Sequence, residues 1–129
     1  MPVRTKSLAE PVERSDGIRV FIARYRPRGL PRGAERWDRW EKRLAPSAEL
    51  LAEYHGKRRE GARVVAKDLP ALSWEEYEVR FLAEMEAAGP RAAIAALKEE
   101  LDQGWTITLL CHCKEAKRCH RRLVRRLLT

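Results

Sequence analysis

Between Leu109 and Arg122 the sequence reads LLCHCKEAKRCHRR, which holds all three cysteines of the chain, Cys111, Cys113 and Cys119. Two of the three histidines, His112 and His120, fall in the same stretch. Thiols and imidazoles crowded together with cations support three kinds of chemistry. The first is an anion cradle with a reactive thiol. A strand, a short loop and a helix that starts in basic residues aims backbone N–H groups and the helix dipole at a ligand, and the same field favours a thiolate. Cys119, beside His120 and between Arg118 and Arg121, is then the activated nucleophile or redox thiol. Cys111 is the second candidate, and His120 carries protons. The second reading is zinc held by Cys111, Cys113, Cys119 and His120, although C-x-C followed by C-H departs from the paired knuckles of structural zinc sites. The third reading is structural: Cys111 continues an apolar strand and packs as a small hydrophobe.

These residues need elements to position them. Two runs read as buried strands. Ile18–Tyr25 (IRVFIARY) is apolar on both faces at its centre, and 105–111 (WTITLLC) is rich in β-branched residues. Val3–Ser7 adds a short edge strand. The helical connections between the strands are long, which demands crossovers. The expected fold is a small Rossmann-like α/β layered domain spanning residues 1–129, with a mainly parallel sheet of three to four strands and helices on both faces. Open parallel sheets bind ligands beyond the carboxyl ends of their strands. Ile18–Tyr25 runs out into RPRG, where Pro27 ends it, and 105–111 runs out into the cysteine segment. If the two strands are neighbours, Arg24, Arg26, Arg28 and Gly29 meet Cys111, Cys113, Cys119, His120 and Arg121, with Arg24, Arg28 and Arg121 gripping the anion.

The remaining elements follow from periodicity and caps. Ala34–Leu44, with Trp37, Trp40, Arg43 and Leu44 in step, reads as a helix. Ser47 caps a helix over Ala48–Tyr54. His55–Gly61 reads as a solvated turn that leaves His55 exposed, and 63–72 as a short strand or an extended connection. Ser73 and Glu76 form a capping box ahead of the Trp74, Tyr77, Phe81, Met85 stripe, a core pattern. A helix with Pro90 in its first turn ends near Gly104. The last helix starts near Ala116 or Cys119 and runs to Leu128, with Leu123, Val124, Leu127 and Leu128 inward and Arg121, Arg122, Arg125 and Arg126 outward.

Composition narrows the classes. The chain has 129 residues, a net charge of +8 and 36% charged residues, which suits a folded domain with anionic partners and excludes a disordered chain. No apolar run reaches the ~20 residues of a membrane span, and no hydrophobic leader is present. An odd, clustered cysteine set points to reduced thiols and a cytoplasmic protein. The lack of asparagine and a single glutamine fit a thermophile. No cofactor is expected. The outward arginine face of the last helix offers a nucleic-acid alternative, though it has no interleaved aromatics for base stacking.

Four segments in order, DGIRVFIARYRPRG, WEKRLAPSAELLAEY, SWEEYEVRFLAEM and ITLLCHCKEAKRCHRRL, resemble the "domain of unknown function 488" family, which includes the YeaO-like proteins. The specific marks are R-Y-x-P-R-G at Arg24–Gly29, L-A-P-S at Leu44–Ser47, and C-x-C with C-H-R at Cys111–Arg121. The resemblance implies a Rossmann-like cytoplasmic α/β protein with no obligatory known cofactor, and it names no activity. From the residues themselves the expected function is binding of a small phosphate- or nucleotide-type anion with thiol-based chemistry, as in a cysteine-dependent transferase or hydrolase. The alternative is a non-catalytic zinc- or nucleic-acid-binding module.

Overall fold

A computed structural model describes residues 3–113 and 118–129; the Ala116 start considered for the last helix lies outside the described residues. Strands β1 (Val3–Ser7), β2 (Ile18–Phe21), β3 (Arg39–Trp40) and β6 (Ile107–Cys111) form one sheet in the order β1-β6-β2-β3. Every neighbouring pair in it is parallel, as crossover connections require. The α-helices are α1 (Ala48–Tyr54), α2 (Trp74–Glu84), α3 (Ala88–Asp102) and α4 (His120–Leu128), and β4 (Arg58–Glu60) pairs antiparallel with β5 (Arg63–Ala66). The mixed α/β class and the parallel sheet are those expected.

Both faces of the sheet are covered, in different ways. Val20, Ile22, Ile107 and Leu109 alternate onto the face that packs against Leu50, Phe81, Leu97 and Leu123, so all four helices feed one core. The other face carries Phe21 and Leu110 under Trp37 and Trp40, beside the 3-10 turn Arg14–Asp16. There Asp16 is fully buried and pairs with Arg19 and with Lys6 at 2.8 Å. Gly17 closes this turn at φ +66, where a Cβ would lie 2.2 Å from the Thr106 carbonyl oxygen, so only glycine fits.

Caps appear where the side chains place them. The Ser47 hydroxyl accepts from the Leu50 N–H, and Ser73 with Glu76 forms the capping box. Four expectations change. Ala34–Leu44 is not an α-helix; only Lys42–Leu44 closes a single 3-10 turn. Asp38 N–H donates to the Arg19 carbonyl and Glu41 N–H to the Phe21 carbonyl, so this segment satisfies the free edge of β2. Trp37 then stacks on Phe21 at 4.4 Å, and a helix would have to break all three arrangements. Second, the expected turn at His55–Gly61 contains β4, and the ambiguous segment after it supplies β5. Third, β2 ends at Phe21 rather than Tyr25, although Ile22 N–H still reaches the Leu110 carbonyl at 2.9 Å. Fourth, Arg121 does not face out. It sits on the stripe with Val124 and Leu128, at steps of three and seven, and is 2% exposed.

Candidate functional site

The register pairs Ile18 with Ile107 and Phe21 with Leu110, so β2 and β6 are adjacent and end together. Their exit loops therefore leave from the same edge of the sheet. His112 Nε2 lies 2.9 Å from the Tyr25 carbonyl and ties one loop to the other.

Three sulfurs gather at the end of β6. Cys111 and Cys119 are buried with their Sγ atoms 2.8 Å apart, and the Cys113 N–H donates to Cys111 Sγ at 3.3 Å. Cys113 is the exposed member. Hydrogen bonds from Cys111 and then Cys119 hold the Cys113 thiol well below the ordinary range, and neighbouring His120 and Arg121 add to the effect. Cys111 is pushed far up by its donation to Cys113 and Cys119 and by burial. Cys119 gains from the Cys111 hydrogen bond, yet its own donation to Cys113 and its burial push it up to about 12.

His120 follows Cys119, which stands at the N-cap position of α4 without a side-chain cap, and is itself buried. Its Nε2–H donates to the Ile22 carbonyl at 2.7 Å, which fixes the tautomer and leaves Nδ1 as an acceptor 3.8 Å from Cys119 Sγ. Burial lowers its pKa, so the ring is neutral at pH 7. The donor atoms of Cys111, Cys119 and His120 lie within 4.8 Å of one another, a set able to hold a soft metal ion. The second-nitrogen hydrogen bond to a carbonyl is the arrangement that orients ligating histidines.

Beside the sulfurs lies a cavity of about 250 Å³. Arg24 and Arg118 line it with Cys111, Cys113, Cys119 and His120. Arg24 Nε donates to the Pro46 carbonyl, which joins the R-Y-x-P-R-G and L-A-P-S segments. Among the described residues that is its only hydrogen bond, so both Nη groups remain available. Arg28 and Gly29 are exposed in the loop and do not line this cavity, nor does buried Arg121, whose Nε and Nη1 have no partner among the described residues. Arg26 is spent within the loop, paired with Glu35 at 2.9 Å.

The cavity also uses residues that the sequence marked only as helix, apolar stripe or solvated turn. Tyr54, His55 and Tyr77 line it together with Leu51. Burial, followed by the neighbouring Cys119 and Cys113 sulfurs, raises the Tyr77 hydroxyl and keeps it protonated. Side-chain periodicity could show only that Tyr77 faced inward; that α1 and α2 frame a hollow is a property of their packing.

A family model described as "DUF488-N3a: Active DUF488-N3 subclade" matches residues 3–129, and the chain belongs to this DUF488 family. Among its relatives is the uncharacterized protein YeaO of Escherichia coli strain K12. The two are 31% identical over 98 residues, which cover 76% of this chain and 85% of the relative. No solved structure matches the chain.

Proposed function

We propose that the protein binds a small anionic ligand, of phosphate or nucleotide type, at the carboxyl edge of β2 and β6 and performs thiol-based chemistry on it as a cysteine-dependent transferase or hydrolase. One observation carries the reading: β2 and β6 are parallel neighbours, which sets Arg24 and the three sulfurs around one cavity. Cys113, the exposed sulfur, meets the ligand, while Cys111 and Cys119 stand behind it as donors. Arg24 and Arg118 attract the anion. Reduced, clustered thiols suit the cytosol, and the near absence of side-chain amides suits a thermophile.

The test is iodoacetamide labelling of the reduced protein, followed by peptide mass spectrometry. Cys113 should label first, and phosphate or a nucleotide at millimolar concentration should slow it severalfold. Labelling of Cys113 that ignores every anion would reject the reading. A second reading, a soft metal such as zinc on Cys111, Cys119 and His120, is favoured by the 4.8 Å donor cluster. Near-stoichiometric zinc in protein purified without added metal would select it.

A further inference from the structure

The cavity wall built by α1 and α2 bears on the organic part of the ligand, whichever chemistry the sulfurs perform. Four rings run in series. Trp74 stacks on Tyr77 at 5.4 Å, Tyr77 lies 4.4 Å from Tyr54, and Tyr54 lies 6.0 Å from His55. The last three face the cavity with Leu51 and Pro46. At the rim Tyr25 is 48% exposed, and its hydroxyl accepts from Arg59 Nη1 at 2.6 Å. A bare oxyanion has no use for such a wall. Small oxyanions are held by convergent N–H groups, and ring faces would be left against water. The size argues the same way, because about 250 Å³ is just below the ~300–1,000 Å³ of pockets for organic ligands and far more than one phosphate fills.

We infer that the ligand is an aryl or heteroaryl anion of the nucleoside-monophosphate class, its ring packed among Tyr54, Tyr77 and His55 and its anionic group on Arg24 and Arg118. The inference rests on the anion-binding reading above and extends it by fixing the uncharged part of the molecule. Apolar contact with ring faces supplies affinity, and the two free Nη groups of Arg24 supply a fork that matches a phosphate edge.

Calorimetric titration of the full chain with AMP, phenyl phosphate, ribose 5-phosphate and inorganic phosphate tests it. The two ring-bearing esters should bind at least about fivefold more tightly than the other two, the lower end of what stacking a base on aromatic side chains gives. Tyr54→Leu should erase most of that difference. His55→Ala, at an exposed position that tolerates truncation, should reduce it in the same direction. Arg24→Gln should weaken all four ligands alike. Equal affinity for ribose 5-phosphate and AMP would overturn this inference while leaving the anion site intact. Binding of none of the four at millimolar concentration would overturn both. A 5′-phosphorylated trinucleotide that binds more tightly than AMP would support the ring slot and identify a nucleic-acid end as the source of the ring.

Discussion

Arg121 should be worth more to the protein removed than kept, as far as stability is concerned. Its side chain is among the largest fully buried ones, and Nε and Nη1 lack a hydrogen-bond partner among the described residues. Each buried donor without a partner costs ~1–3 kcal/mol. Even buried ion pairs, whose charges are compensated, are often replaced by apolar groups of similar volume at no cost or with a gain of ~1–4 kcal/mol. Arg121→Met keeps most of the volume beside Val124 and Leu128 and removes both orphan donors. A gain of about 2 kcal/mol is expected, near the middle of that range. For a chain of this length it corresponds to a rise in Tm of very roughly 8 °C. The cost should fall on the site, because the Arg121 charge helps hold the Cys113 thiol low. The pH at which Cys113 alkylation falls to half its plateau should therefore rise in the same variant. Thermal and urea unfolding measure the first quantity and timed labelling the second. A loss of 1 kcal/mol or more in Arg121→Met would refute the reasoning, since it would mean that the guanidinium has a partner in solution.

Three further outcomes are expected. Burial alone would raise the Asp16 carboxyl, but donation from Lys6, the Glu13 N–H and Arg19 lowers it below the ordinary carboxylate value. A depressed folded pKa means stability that is complete above about pH 4 and lost as pH falls further. Urea midpoints of the wild type should drop between about pH 4 and 2, whereas Asp16→Asn should be weaker by about 3 kcal/mol at pH 7 and nearly flat in acid. Gly17→Ala should cost at least about 2 kcal/mol, because a methyl group meets the Thr106 carbonyl at a left-handed backbone position; an unchanged urea midpoint would rule out that turn geometry. Ser47→Ala removes the cap on Leu50 N–H and a hydroxyl bond to Glu84 at 2.5 Å, so a loss of about 1–2 kcal/mol is expected in the same assay.

The two strands that frame the site were legible because their centres are apolar on both faces, a pattern that only a covered strand needs. Helix starts at Ser47 and Ser73 were equally plain, since capping is a local interaction between a hydroxyl and an N–H three residues on. Trp37 and Trp40 misled for the opposite reason. A step of three fits a helix, and nothing nearby in sequence announces that Asp38 and Glu41 will bond to β2, about twenty residues earlier. Arg121 shows charge overriding pattern. Its steps to Val124 and Leu128 mark the buried stripe, yet a guanidinium is expected outside, and only the coordinates place it within. The sulfur cluster could be named from sequence, but which sulfur stays open to solvent depends on how tightly the start of α4 closes on the end of β6.

The hydrogen bond from Arg59 to the Tyr25 hydroxyl joins the β4–β5 hairpin to the lip of the cavity. If the proposed ligand site holds, sequence drift in this outlying ribbon would act on the rim of the cavity through Tyr25 while leaving the sulfurs and their neighbours in place.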